Sequence, residues 1–586
     1  MSASTPGALI TQAQTQTKLE SCLERLRRAL SNPWLQRAAL VAVIVWVFWN
    51  GLWAGVARSD QVLYLYRVSE FDTLWDILSR APSWNRLYQT AGDQVLYRPV
   101  LYLQLGSFYY LFRYNFIAWQ VASLCLHTLV VLGIHLLLIQ GRLNRTLYPL
   151  LISLWFGTAF FASEMVFWNH IVGYLLFCGL EVYAVYFFLR FLQSDRATFL
   201  VPCALLSVTA EFTYETGALV NLLFAATLLA SRLSAPAATA SSAQSRGSAH
   251  WRLALGFVLA ALLLPIASLI DLRIRGFAFL PNAHGVGLWP LVVIAVRYAF
   301  AQIGFWTSAW LAPTVYQVVA AGRAICEVSS LGLTGLRLLN LIALALLTIA
   351  GVLGLNHWLR RSAVSKREPL FALSLCLLFL FGYSIIIATG RSMRWGLPYI
   401  LYAHIYYSYV AYLTLCVGIA LAAFAGRTPV VAATTDAESE PDTTGRSSNP
   451  PQSGHLSRVG RRFAPALAIL AFVNACGVHE LARAFRYVYA PPRQELVDLL
   501  LTWQKQVGEN PQRYFVVSPT CHGNDMLWWF DATQLRKNFS WRPPVNLADA
   551  LWPDRSAGFN AERIGLSGAR VDEIVCPETT SSAQPR

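Results

Sequence analysis

The sequence predicts an all-α polytopic membrane protein with a small α/β domain at its C-terminal end. Three observations predict this class. Of 586 residues, 56% are hydrophobic and 13% charged, whereas an ordinary soluble domain carries about a quarter charged residues. Apolar runs long enough for a helix to cross a hydrocarbon core of about 30 Å recur from residue 38 to residue 484. The 20 Trp and 25 Tyr fit belts at the membrane interfaces, although large rings also pack any big core.

The expected spans are roughly 38 to 57, 117 to 139, 147 to 162, 170 to 192, 197 to 211, 215 to 231, 253 to 271, 337 to 356, 369 to 388, 397 to 424 and 464 to 484, about 11 transmembrane helices. Lys18, Arg25, Arg27, Arg28 and Arg37 precede the first run. Its long polar lead and lack of a small-residue cleavage site make it a retained first span with a cytoplasmic N-terminus. An odd number of crossings then places the C-terminus outside. The connections expected inside carry Arg142 and Arg145, Arg190 and Arg196, Arg232, Arg246 and Arg252, Arg360, Arg361, Lys366 and Arg367, and Arg458, Arg461 and Arg462. The positive-inside rule is thus met at each, provided 272–336 stays outside with the aromatic stretch 288–312 in the interface or re-entrant.

The chain therefore divides into a cytoplasmic tail (1–36), a transmembrane domain (37–426) with a first external loop (58–116), a linker (427–462), a last span (463–484) and an extracytoplasmic domain (485–586). The linker and the Ala/Ser-rich 234–249 are expected to be cytoplasmic and disordered. A helical pattern over Glu495 to Val507 and a strand-like Arg513 to Val517 predict the C-terminal α/β fold.

The formal charge of +15 does not indicate nucleic acid, because the arginines are scattered between apolar runs and form no basic stripe. The 10 cysteines form no CxxC pair. Only Cys521 and Cys576 share a polar region, where an oxidising compartment suits a disulfide and two independent thiols are the alternative.

Chemistry-bearing residues gather on the expected outer face. Asp60 follows the first apolar run by a few residues, where partial desolvation favours a base or metal ligand over an ordinary helix-end carboxylate only if partners converge on it. Those expected partners are Arg98 at the entry to a surface helix, Glu164 and His170 in a short turn, Glu211 and Glu215 in the next, and Arg391 and Arg394 in a later one. The plainer readings are that both late arginines anchor helix ends and that His170 is a satisfied helix-start residue. Polar groups at one depth in several helices mark a site, and carboxylates with arginines suit transfer from a phosphorylated lipid.

On these residues the chain resembles the GT-C superfamily of polytopic glycosyltransferases, most closely the membrane halves related to protein O-mannosyltransferases. The resemblance covers roughly residues 38 to 425 and rests on Ser59-Asp60, Tyr97-Arg98-Pro99, a following span with Asn115 and His127, the Ala162 to Trp168 turn and the Glu211 to Glu215 turn. It implies an inverting transferase with a polyprenyl-phosphate-sugar donor and an acceptor glycan, lipid or protein. It further implies Asp60 as catalytic base, while their place on the expected outer face makes Arg98, Glu164, His170, Glu215, Arg391 and Arg394 the expected donor-phosphate or substrate ligands. A divalent ion, Mg or Mn, would be held by Asp60 and Glu164. Where such enzymes often carry two adjacent acidic residues after the first span, this chain has Ser59-Asp60-Gln61. The rival classes are a transporter or flippase, for which Glu181 inside a span is the residue of interest, an O-antigen-type polymerase or ligase, and a non-catalytic membrane subunit.

Overall fold

The computed structural model describes residues 32–55, 73–80, 97–112, 115–140, 143, 146–233, 240–274, 289–290, 292–299, 316–317, 327–328, 367–387, 406–425, 454–489, 513–517 and 570–574. These residues are overwhelmingly helical. The helices are α1 (Pro33–Phe48), α2 (Leu74–Arg80), α3 (Pro99–Phe112), α4 (Phe116–Gln140), α5 (Tyr148–Gly157), α6 (Phe160–Phe167), α7 (Val172–Ser194), α8 (Leu200–Thr213), α9 (Gly217–Leu233), α10 (Ala240–Ala261), α11 (Leu263–Ile274), α12 (Arg367–Ile387), α13 (Tyr406–Ala425) and α14 (Gly454–Ala484). A short strand Arg513–Val517 pairs in parallel with Arg570–Ile574. The helix expected over Glu495 to Val507, and with it the α/β fold as a whole, lies outside the described residues.

Among the described residues five helices are long and apolar enough to cross a membrane: Pro33–Trp53, Phe116–Gln140, Val172–Ser194, His250–Asp271 and Ala464–Tyr487. A sixth results if the bent pair α5 and α6 is one span. The expected spans near 197, 215, 369 and 397 correspond to shorter apolar helices, and 337–356 lies outside the described residues.

Contacts sort the helix ends into two groups. At one end, Gln120 Nε2 donates to Phe167 O (2.9 Å), Phe48 meets Phe167 edge to face, Tyr174 stacks on Tyr214, and the Tyr383 hydroxyl donates to Tyr407 O (2.8 Å). At the other end, His135 Nε2 donates to Gln36 Oε1 (2.8 Å) and Gln36 Nε2 to Thr146 O (3.0 Å), while Phe191 meets His250. Successive long helices therefore run in alternate directions. The connections α4–α5, α7–α8 and α9–α10 and the starts of α12 and α14 fall at the second end, and the sequence places its arginines there.

Helix α3 does not run along the bundle. Tyr97 meets Phe212, Leu101 lies against Gly173, and Phe108 and Phe112 both pack on Trp119 near the start of α4. All these partners belong to the first end, so α3 lies across it. Its outer side leaves Leu111 67% exposed. Helix α2, whose Ile77 packs on Gly106 of α3, begins with a reciprocal cap: Thr73 N and Oγ1 donate to Asp76 Oδ2 (3.1 and 2.7 Å), and Asp76 N donates to Thr73 Oγ1 (3.1 Å). Asp76 is thus a capping carboxylate.

The apolar run 147–162 and the turn expected after it are reorganised. Helix α5 stops at Gly157, and α6 leaves at 57° as a second helix ending at Phe167. Glu164, expected in a turn, sits on this buried helix, where Trp168 N donates to Glu164 O (3.0 Å). One glutamate and one serine lower the local hydropathy as a turn would, yet the backbone can keep its helical bonds because they do not depend on side-chain polarity.

In an apolar interior a break strands backbone groups that need partners. The Gly157 carbonyl is taken by His127 Nε2 (2.9 Å), which leaves Nδ1 to accept from the Tyr409 hydroxyl (2.9 Å). Thr158 Oγ1 has one proton to share between Leu154 O (2.8 Å) on α5 and Ala471 O (3.2 Å) on α14. His127, Tyr409 and Thr158 together hold the bend against α4, α13 and α14.

A second interruption falls at Leu262, just before Pro265, whose ring cannot continue the helical bonding. The Leu264 N–H at the start of α11 donates to Glu211 Oε1 (3.0 Å), and Asn221 Nδ2 donates to Glu211 Oε2 (2.9 Å). The turn that delivers Glu211 is very tight: a Cβ on Gly217 would come within 2.5 Å of Glu211 N. Only glycine fits that approach.

The Ala/Ser-rich stretch departs from expectation at its end. Residues 240–249 form the first turns of α10, consistent with the high helix propensity of alanine beside an established apolar helix. Likewise α14 begins at Gly454, inside the expected linker 427–462, and carries Pro465 within it.

Candidate functional site

The end of the bundle crossed by α3 brings together residues far apart in sequence. Arg98, at the N-terminus of α3, forms a two-pronged ion pair with Glu215 in the α8–α9 turn: Nε to Oε2 at 2.8 Å and Nη2 to Oε1 at 2.6 Å. The Arg98 side chain is 14% exposed and that of Glu215 35%. Its guanidinium carbon lies 4.4 Å from the centre of the Tyr214 ring, which stacks on Tyr174 with centroids 4.0 Å apart. Tyr407 meets Tyr174 at right angles (6.1 Å). Cation, ring and ring form one column linking α3, the α8–α9 turn, α7 and α13.

Burial works against the Arg98 charge, but the Glu215 carboxylate, through its charge and its hydrogen bonds, overcomes it and holds the guanidinium above its ordinary range. The pair is therefore a clamp as well as a candidate ligand set. Gln substitutions at the two positions should cost stability non-additively, with a coupling of roughly 1–3 kcal/mol in a double-mutant cycle followed by thermal melting in detergent. Additive losses would show that the two side chains do not support one another.

Glu164 is 4% exposed on α6, and the neighbouring Trp168 and Asn169 are buried too. His170 belongs to the 3₁₀ turn Asn169–Ile171 between α6 and α7, and its side chain lies outside the described ones. That turn joins Phe167, packed on the end of α1, to Tyr174 in the aromatic column, so the His170 backbone belongs to this same end. Arg98, Glu215 and the 164–170 segment thus lie at the same end of the bundle. Asp60, Arg391, Arg394, Cys521 and Cys576 lie outside the described residues. Glu211 is gathered too, but as the partner of Leu264 N and Asn221 it caps a helix.

The expected metal pair has one described member, Glu164. Among the described residues no group of three or more His, Cys, Asp or Glu side chains is close enough to hold an ion.

Sequence inspection missed the roles of Tyr174, Tyr214 and Tyr407. Their signal was present only as aromatic residues beside charged ones at helix ends, and such residues are equally common as packing. It also missed that His127 and Tyr409 satisfy a broken helix. Glu181, in α7, is 5% exposed, and its Oε1 has no hydrogen-bond partner among the described residues.

Fold and site define an integral membrane protein, built from helices, five or six of which could span a bilayer, with a polar and aromatic cluster at one end. The sequence matches no protein-family model and no curated protein.

Proposed function

We propose that this chain is a membrane glycosyltransferase, GT-C-like, which moves a sugar from a polyprenyl-phosphate-linked donor to an acceptor on the extracytoplasmic face. The observation that carries the reading is the joining of Arg98 and Glu215, 117 positions apart, at the bundle end opposite the arginine-bearing connections. The positive-inside rule makes the arginine-bearing end cytoplasmic and the cluster external. A lipid-linked donor presents its phosphate at that depth, and α3 lies across it like a ledge.

In this reading Asp60 deprotonates the acceptor, Arg391 and Arg394, with Arg98, hold the phosphate that leaves, and Glu164, His170 and Glu215 contact the rest of the substrate. A divalent Mg or Mn ion shared by Asp60 and Glu164 would offset the charge that develops there. Because Glu215 already occupies Arg98, the phosphate must either displace that carboxylate or rely on the other two arginines.

Membranes containing the protein should transfer radiolabelled sugar from a polyprenyl-phosphate sugar to endogenous acceptors. Movement of the lipid between leaflets without transfer would instead support the transporter reading. That reading is favoured by two observations: the break between α5 and α6, and the unpartnered Glu181 Oε1 inside α7.

A further inference from the structure

A second cation at the same end is held in the opposite way from Arg98. Where α14 ends, the chain widens into a π-helical turn, Phe485–Tyr489, a distortion frequent at functional sites. Phe485 is 1% exposed and packs on Phe167 with centroids 5.0 Å apart, which fixes the turn to the bundle. The next residue, Arg486, reaches the end of α1. Its Nη1 donates to Asn50 Oδ1 (3.1 Å), and its guanidinium carbon lies 4.3 Å from the Trp53 ring centre and 4.9 Å from that of Tyr487.

An amide oxygen and two ring faces orient this guanidinium without neutralising it. Among the described residues its partners include no carboxylate, in contrast to Arg98 with Glu215 and Arg483 with Glu480. One N–H is spent on Asn50, and the remaining donors keep the planar fork that suits a phosphate. The surroundings are those of a membrane interface. Trp46 on α1 and Trp49 in the 3₁₀ turn that continues it are 48% and 49% exposed, Tyr487 is 60% exposed, and both α1 and α14 belong to helices able to span a bilayer.

We propose that Arg486, with Asn50, Trp53 and Tyr487, forms a binding site for the phosphate of an anionic membrane phospholipid. The aromatic rings take the glycerol and upper acyl region, and the guanidinium takes the phosphate. The site is separate from the Arg98–Glu215 clamp and stands whether or not the chain transfers sugar. It would keep a charged lipid against the end of α1, immediately before the segment that carries Asp60 in the sequence.

The test uses the full-length protein in detergent, with phosphatidylglycerol, phosphatidylcholine and inorganic phosphate as probes, and retained lipid counted by native mass spectrometry. Phosphatidylglycerol should be retained in preference to phosphatidylcholine, and Arg486→Gln should weaken its retention about tenfold to a hundredfold. Arg483→Gln removes the same charge one turn away from an exposed pair with Glu480 and should leave retention unchanged. Equal weakening by both variants, or none with Arg486→Gln, would overturn the proposal. Displacement of the lipid by inorganic phosphate at similar concentration would also overturn it, since the site would then read a free anion. If Arg486→Gln does not survive purification, Asn50→Ala keeps the cation but frees its orientation and should weaken retention roughly threefold; unchanged retention in that variant counts against the site.

Discussion

Replacing Asp60 with Asn should lower sugar transfer by about a hundredfold to ten-thousandfold, the range that general-base catalysis contributes, while leaving donor binding intact. The exchange keeps shape and removes basicity, so it isolates proton abstraction from packing. Asp60 is the first acidic residue after α1, and the one that matches the first-loop carboxylate of the family the chain resembles. Asp72→Asn and Asp93→Asn in the same loop should cost far less, as solvated carboxylates would. Measured as initial rates in membranes at saturating donor, the three variants separate one base from a generally acidic loop. Should Asp72→Asn or Asp93→Asn abolish transfer while Asp60→Asn spares it, the base is misassigned. Indifference to all three would end the transferase reading.

The largest stability effect is expected at His127. Its two ring nitrogens serve different partners: Nε2 donates to the carbonyl that the end of α5 strands at Gly157, and Nδ1 accepts from Tyr409. Leucine fills a similar space but satisfies neither group, and each buried polar group left alone costs about 1–3 kcal/mol. His127→Leu should therefore destabilise the protein by about 2–5 kcal/mol, seen as a lower melting temperature in detergent. Tyr409→Phe removes only one bond and strands a nitrogen that accepts, so its loss should be smaller. Gln at 127 offers both a donor and an acceptor and should recover part of the stability. A leucine variant as stable as the parent would mean that the bend is held by Thr158 and packing alone.

Several features of the site were legible in one dimension because charge is costly in an apolar chain. A carboxylate or guanidinium between apolar runs has few places to go, so Arg98 and Glu215 could be assigned to one face from hydropathy and arginine asymmetry. Their bonding to each other was not legible. Pairing depends on α3 lying across the bundle and on the tight α8–α9 turn at Gly217, both set by contacts between distant segments. Glu164 and Glu211 look alike in sequence, each an acidic residue near the end of an apolar run. One lies on the outer half of a bent pair of helices, and the other caps the N-terminus of α11.

The sequence by itself determined the class of protein, the positions of most helices and the end at which the arginine-bearing connections gather. Those features follow from composition and from the length of apolar runs, which are local quantities. Only the tertiary structure decided that 148–167 is a bent pair, that His127 and Glu211 serve interrupted helices, and that Arg98 is neutralised whereas Arg486 faces rings and an amide. The physical reason is the same in each case. A buried polar group is defined by the partner that satisfies it, and that partner comes from another helix, at a separation no local pattern records.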